Sequence, residues 1–426
     1  MEAQPLISGY AERLLPGGEA LVRNQNKQFL ISNAVPGDTV QCRIEGKRRG
    51  MLRGRVEARI HASTMRVEAN CEVAGKCGGC ALQFLDPACH AAVKSAWVRE
   101  AFSSFFDPET VWRPIHGKAE CGQRRRARWW RAEDSDGIFL GFRARGSHEV
   151  VRAPTCQMVS PEIDALRLHI QHGIPDSVES VQVTRLSDGM HVVFEARAED
   201  VDTDTARHLA TSMMELSLAV PIIPWWRSSS ATVPLHHPVK ILHDRVPAGD
   251  TLIQLPVGPD DFVQGHATDN ADMVQQVQEW AGSPRFVADF FCGIGNLSLP
   301  LAYHANTGVR GADATVSSIR LANASAKKLG VDAHYEAINL FEAFDISAFA
   351  GADVLILDPP RKGAKRICRS MGTLLPASII MVNCDVASGA RDASELYKTG
   401  YRLRALRAFD LFPYSGHVEA MSLWRR

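Results

Sequence analysis

The chain has 426 residues, 45% hydrophobic and 23% charged, with a formal net charge of zero. This ordinary globular balance bounds it to two or three domains with separate cores. No apolar run approaches the roughly eighteen residues of a membrane span, and Met1-Glu2-Ala3-Gln4-Pro5 lacks the basic-then-apolar pattern of a signal peptide. A cytoplasmic protein without a membrane partner is expected. Its ten cysteines then point to metal, catalysis or core packing rather than disulfides.

Residues 1–60 alternate short strand-like segments (Glu19 to Val22, Gln28 to Ser32, Thr39 to Ile44, Arg53 to Ile60) with turns at Gly17-Gly18 and Pro36-Gly37-Asp38. That pattern predicts a small β-barrel of the OB type. Lys47, Arg48, Arg49, Arg53, Arg55 and Arg59 crowd its second half. Such a cluster suits either an oligonucleotide or a solvated face.

Cys71, Cys77 and Cys80 follow within ten residues, the last two separated by Gly78-Gly79. Three close thiols suit one soft metal centre, zinc or an iron–sulfur cluster, and either needs a fourth ligand. Cys89, Cys121 and Cys156 are the nearest candidates. No second Cys-x2-Cys hairpin follows, which favours a cluster over zinc. Between 118 and 158, Arg124, Arg125, Arg126, Arg128 and Arg131 interleave with Trp129 and Trp130, and Arg143, Arg145 and Arg152 come next. These could grip phosphates and stack on unpaired bases, or form a strand with one buried Trp and a solvated Arg face. Residues 160–255 predict helices near Glu162 to His172 and Asp204 to Met214, with strands near Val181 to Arg185 and His191 to Phe194, and carry no assigned chemistry.

From about Pro259 strands and helices alternate, as in a doubly wound sheet. The apolar strand Phe286 to Phe290 leads into Phe291-Cys292-Gly293-Ile294-Gly295-Asn296 and a helix at Leu297 to Ala302. Such a loop lets a ligand approach the backbone. Asp313, twenty positions after Gly293, is placed to accept bonds from ribose hydroxyls. The turn resembles the first motif of S-adenosylmethionine (SAM) methyltransferases, with NAD as the other dinucleotide-type possibility. The strand Val354 to Leu357 runs into Asp358-Pro359-Pro360-Arg361. The prolines stop the strand and hold Asp358 at its carboxyl end. This loop is similar to that of enzymes that methylate base amino groups, except that Arg361 stands where they carry an aromatic residue. Ile379 to Val382 reads as a buried strand delivering Cys384 to the same edge.

In this order the TRAM-like start, Cys71/Cys77/Cys80, Ala153-Pro154-Thr155-Cys156, Phe262-Val263-Gln264, Asp289 to Asn296, Asp358 to Gly363, Cys384 and Gly416-His417-Val418-Glu419 resemble the SAM-dependent uracil-5 RNA methyltransferases, in the branch with an iron–sulfur cluster. The resemblance spans nearly the whole chain. It implies a TRAM-like barrel over 1–68, a central α+β domain over 69–257 with the cluster and RNA contacts, and an α/β Rossmann-like methyltransferase domain over 258–426, to which residues near 89–119 would add. It implies a [4Fe-4S] cluster on Cys71, Cys77, Cys80 and Cys156. SAM and the target would lie among Gln264, Phe291, Gly293, Asn296, Asp313, Asn339 and Asp358. Cys384 would be the nucleophile, Glu419 the base and Asp358 a third catalytic group. The substrate would be a single-stranded or looped uridine, in 23S rRNA by family association, met by a monomer. A base-nitrogen methyltransferase that does not need Cys384, and a silent RNA-binding or assembly factor, are the alternatives. Two positions depart from the family pattern. Asp385-Val386 replaces Asn-Pro after the cysteine, so Asp385 either opposes thiol ionisation or caps the helix that starts near Ala387. His266 stands where an Asn is usual.

Overall fold

The computed structural model describes residues 6–48, 50–117, 120–197, 203–216, 218 and 220–426. Five strands, β1 (Leu6–Leu14), β2 (Ala20–Asn24), β3 (Lys27–Ser32), β4 (Thr39–Arg48) and β5 (Met51–His61), close into a barrel in the order β1-β2-β3-β5-β4. The β1·β4 pairing, Leu6 opposite Arg43 to Tyr10 opposite Thr39, shuts it. The barrel's positive charge is smaller than its composition suggests. Arg53 pairs with Glu19 at 3.1 Å and Arg55 with Glu45 at 3.2 Å. Arg49 lies outside the described residues.

A helix at Pro87–Phe102 follows, with Asp86 accepting from Ala88 N at 2.9 Å as its cap and Pro87 at its first turn. Its Trp97, Val98 and Phe102 share one core with Val22 and Phe29 of the barrel and with Leu355, Met381 and Trp424. The Trp97 indole N–H also bonds Leu14 O at 2.8 Å. The helix therefore welds the barrel to the carboxyl-terminal sheet. β6 (Val111–His116) adds to that sheet's edge.

The central sheet comprises β7 (Arg126–Asp134), β8 (Gly137–Arg143), β9 (Val150–Val151), β10 (Val178–Leu186), β11 (Gly189–Ala196), β12 (Ile222–Arg227) and β13 (Thr232–Pro234), in the order β13-β12-β11-β10-β7-β8-β9. Helices Pro161–Ile170 and Thr203–Glu215 contribute Ile163, Leu166, Leu209 and Met213 to its core. β14 (Leu242–Ala248) and β15 (Thr251–Val257) form a separate hairpin. Its Val246, Ile253 and Leu255 share a core with Val274, Val287 and Leu301. A boundary at residue 258 would divide that core.

The last sheet contains β16 (Phe286–Phe290), β17 (Gly308–Asp313), β18 (Ala333–Ala337), β19 (Val354–Leu357), β20 (Ser378–Asn383), β21 (Arg402–Phe409) and β22 (Glu419–Arg425), ordered β18-β17-β16-β19-β20-β22-β21-β6. β16 to β20 are mutually parallel, and β22 runs antiparallel between β20 and β21. This is a Rossmann-like sheet. Strand order reverses between β16 and β19, which opens a crevice beyond their carboxyl ends.

Candidate active site at the carboxyl edge of the sheet

The β16·β19·β20 register aligns Phe290 with Leu357 and Leu357 with Met381, so Asp358 and Cys384 both emerge just past their strands. β22 enters from the opposite direction. Asn383 pairs with Ala420, and one antiparallel step further sets Cys384 against Glu419. Residues 35 apart in sequence thus become neighbours through sheet register alone. Phe291 sits at φ +65°, with Gly293 at +52° and Gly295 at +82°. An added Cβ on Gly293 would meet nothing within 4 Å, so the loop backbone is open to a ligand.

Asp289, the last residue but one of β16, is 1% exposed, and neither carboxylate oxygen has a hydrogen-bond partner of good geometry. The Ser298 hydroxyl lies 3.0 Å from Tyr335 Oη, where either atom can donate, and it also lowers Asp289 against the effect of burial. Burial pushes Asp289 up to about 7, and burial followed by the charge of Asp313 does the same to Asp358. Glu419, 3% exposed, is pushed up to about 8 by burial and then by Asp358, with Arg361 opposing. Burial, then Glu419 and Asp358, raise the Cys384 thiol to about 12. Desolvated carboxyls around a thiol favour a cationic ligand. The sulfonium and ammonium groups of SAM fit that demand, and the orphaned oxygens of Asp289 supply acceptors.

The other expected cofactor residues are placed differently. Asp313 ends β17 and accepts from Gly293 N at 3.1 Å and Thr315 N at 2.8 Å, so it fixes the loop while its remaining lone pairs stay available. Phe291 faces Phe341 at 5.4 Å between ring centroids, and Lys362 Nζ lies 3.2 Å over the Phe341 ring. Gln264 is buried with its side-chain oxygen unpaired. Asn296 is engaged in a reciprocal amide pair with Asn270, at 2.9 and 3.1 Å, tying the loop to the helix Ala267–Ala281. Asn339 accepts from Phe341 N at 3.1 Å and donates to Glu342 Oε1 at 2.7 Å, holding its own turn. Asn383, which precedes Cys384 and has no role assigned from its sequence context, is 1% exposed with an unpaired Oδ1. No local pattern distinguishes it from any strand-ending Asn.

Both departures from the family pattern resolve as helix caps. Asp385 Oδ1 accepts from Ser388 N at 2.8 Å at the start of the helix Val386–Lys398, a contact worth about 1 kcal/mol. The charges that raise Cys384 are those of Glu419 and Asp358. His266 Nδ1 accepts from Asp269 N at 3.4 Å and caps the helix Ala267–Ala281.

The family model described as tRNA (Uracil-5-)-methyltransferase matches residues 181–426. A Pseudomonas aeruginosa protein named 23S rRNA (uracil(1939)-C(5))-methyltransferase RlmD is 32% identical over 97% of this chain and 92% of its own length. One of the same name from Alkalilimnicola ehrlichii is 33% identical over 96% and 94%. This chain belongs to the uracil-5 RNA methyltransferase family. The crystal structure of the Pyrococcus abyssi tRNA (uracil-54, C5)-methyltransferase with S-adenosyl-L-homocysteine shares the fold, with a TM-score of 0.73, 22% identity and coverage of 98% and 99%.

In this SAM-dependent RNA methyltransferase the four cysteines named from the motif converge. Cys80 is pushed up to about 12 by burial, with the charges of Cys156, Cys77 and Cys71 adding to it. Gly78 N bonds Arg143 O at 2.9 Å, and Gln157 Nε2 bonds Asn70 O at 3.3 Å, which binds the two segments together. Cys121, a rival for fourth ligand, lies near Cys156 and the Tyr414 hydroxyl instead.

The methyltransferase's arginine-rich segment divides in two. Arg125 is buried against Asp244 at 2.7 Å, Arg128 pairs with Glu195 at 2.5 Å, Arg152 with Asp134 at 2.6 Å, and Arg131 with Asp176. Among the described residues Arg124, Arg126, Arg143 and Arg145 have no carboxylate partner. Arg126 lies 5.0 Å over Phe262, itself 63% exposed, Arg143 lies 3.6 Å over Trp130, and Arg124 lies 5.9 Å over Phe412. Trp129 is fully buried. The buried tryptophan and the paired arginines thus account for part of the segment, and the arginines without a carboxylate partner lie over aromatic rings. A cavity of about 400 Å³ lined by Met213, Leu216 and Ile222 shares no residue with the crevice and offers no group for methyl transfer.

Proposed function

We propose that the enzyme methylates carbon 5 of a looped uridine in 23S rRNA. The observation that carries this reading is the placement of Cys384 against Glu419 across β20 and β22, beside the cofactor loop. SAM, when bound, supplies an electrophilic methyl group. Cys384 Sγ adds to carbon 6 of the uracil, and the displaced electron pair makes an enolate that is nucleophilic at carbon 5. After methylation, Glu419 takes the carbon 5 proton, Sγ leaves, and the 5,6 double bond returns. Asp358 would act beside both cofactor and base, held by its N–H to Phe290 O at 3.3 Å and by Pro359-Pro360. A base paired in a helix cannot reach this crevice, so the uridine must be splayed out. Arg124, Arg126 and Arg143 with their aromatic partners would carry the flanking RNA. The relatives that are 32% and 33% identical over more than nine-tenths of both chains carry the 23S rRNA name, which favours rRNA over tRNA. Incubation with labelled SAM should give 5-methyluridine in an unmodified 23S rRNA transcript and little in tRNA. Methylated adenine or cytosine in either would point to base-nitrogen chemistry instead.

Cys71, Cys77, Cys80 and Cys156 would hold a [4Fe-4S] cluster. Four soft thiolate donors suit it, and Cys71, Cys77 and Cys156 each lie close enough to Cys80 to raise it by charge. The cluster would clamp residues 71–80 onto the segment at 156. Anaerobically reconstituted protein should carry roughly four irons per chain with broad visible absorption. Oxidative loss of the cluster should lower the melting midpoint and RNA affinity together. One zinc per chain, or a midpoint indifferent to cluster loss, would contradict the assignment.

A further inference from the structure

The segment 410–418 joins β21 to β22 and ends at Glu419. Most connections between strands are exposed, but Asp410, Leu411, Ser415, Gly416 and Val418 are buried. Lys94, in the helix Pro87–Phe102, is 0% exposed, and its ammonium donates to Asp410 Oδ1 at 2.5 Å and Phe412 O at 2.8 Å. Phe412 O also accepts from Ser415 Oγ at 2.8 Å, and Ser415 Oγ accepts from His417 N at 3.2 Å. A continuous hydrogen-bonded chain thus runs from a fully buried lysine to the residue two before Glu419.

Other parts of the molecule hold the same segment. Leu82 N, in the stretch after Cys80, donates to Tyr414 O at 2.8 Å. Tyr414 is held at φ +58°, costly for a non-glycine, with its ring edge-on to buried His90 at 4.9 Å. From the barrel, Gly17 N donates to Gly416 O at 2.9 Å, and a Cβ on Gly416 would come within 2.3 Å of the Gly17 backbone. Asp410 N donates to His116 O of β6 at 2.7 Å.

We propose that the 410–418 segment is a strut through which Lys94 and the barrel turn at Gly17 set the position of Glu419. Lys94 is then a positioning residue for proton removal. This inference rests on the roles given to Cys384 and Glu419 above. A fully buried ammonium is tolerated only with partners in place, so Asp410 Oδ1 and Phe412 O are held to Lys94 and the segment with them. The step most sensitive to that position is loss of the carbon 5 proton, which precedes release of the RNA from Cys384. Addition and methyl transfer depend first on β20 and the cofactor loop, while the strut's own contacts on that side are limited to Phe412 beneath Arg124 and His417 at 3.3 Å from Arg361.

The test is a single-turnover reaction on a 23S rRNA transcript with wild type, Lys94→Met, Gly416→Ala and Glu419→Gln, following both methyl incorporation and the fraction of RNA covalently joined to protein on denaturing gels. Lys94→Met should slow release by about 10- to 100-fold, the scale of a misplacement near 1 Å, with incorporation into the adduct within about threefold of wild type. Gly416→Ala, which wedges the barrel turn away, should shift the partition in the same direction and decides the matter if Lys94→Met does not fold. Release unchanged in both variants, or release and incorporation slowed equally, overturns the strut. If Glu419→Gln itself accumulates no adduct, the base assignment fails, and the strut with it. An adduct in Glu419→Gln but in neither of the other two refutes the strut alone.

Discussion

Cys384→Ala should lower 5-methyluridine formation by on the order of 10⁴-fold or more while RNA and SAM binding persist. Carbon 5 of uracil is activated only by addition at carbon 6, so no other group in the crevice can replace the thiolate. Alanine deletes one sulfur at a half-buried position and leaves β20 and the Asp385 cap intact, so binding provides the control for folding. The thiol's elevation to about 12 adds a second expectation. The free enzyme holds Cys384 protonated at neutral pH, with Glu419 and Asp358 both opposing its ionisation after burial. Alkylation of Cys384 in the free protein should therefore be slow and rise with pH. It should speed up when SAM is bound, because a cation among these carboxyls lowers the thiol's pKa. RNA carrying 5-fluorouridine should trap wild type covalently and leave Cys384→Ala free. Undiminished 5-methyluridine from the alanine variant would remove Cys384 from the mechanism.

What the sequence disclosed of this site followed how locally each feature is encoded. The apolar runs before Asp289, Asp358 and Cys384 predict three strand ends on one edge; Asp358 and Cys384 emerge there, and Asp289 lies one residue before the end of β16. The juxtaposition of Cys384 and Glu419 depends on β22 inserting antiparallel between β20 and β21, which no window of residues encodes. The same holds for β6 and the helix Pro87–Phe102, whose place against the last sheet was implied only by family resemblance. Charge misled where pairing partners are distant. Arg53 and Arg55 read as free cations, yet Glu19, before β2, and Glu45, on the adjacent strand β4, meet them. Arg128 and Arg131 are likewise met by Glu195 and Asp176, residues outside their own segment. Asp385 could be read two ways because an N-cap and a charge beside a thiol look identical in sequence. The bond to Ser388 N separates them.

Glu419→Gln should convert turnover into a trap. Cysteine addition and methyl transfer do not require the carboxylate, but elimination does, so the methylated RNA should stay joined to Cys384, with release slower by about 10² to 10⁴, the usual worth of a general base. The pH dependence follows from the elevation of Glu419 to about 8. Only the ionised form accepts the proton, so wild-type release should climb with pH up to about 8 and then level, and the glutamine variant should lose that rise. Stability should move in the opposite sense. A carboxyl whose folded pKa is raised keeps its proton in the native state while the unfolded chain releases it, so rising pH favours unfolding from the ordinary carboxylate range up to about 8. Glutamine carries no such liability. The variant should therefore gain melting temperature over wild type as pH rises through that window, measured by thermal unfolding at pH 5 and pH 8 without SAM. A catalytically poorer but more alkali-stable protein is the signature of a buried base retained for chemistry. Equal pH profiles of stability would mean that Glu419 is already ionised in the native state below this range, and the rise of release with pH up to about 8 should then be absent as well.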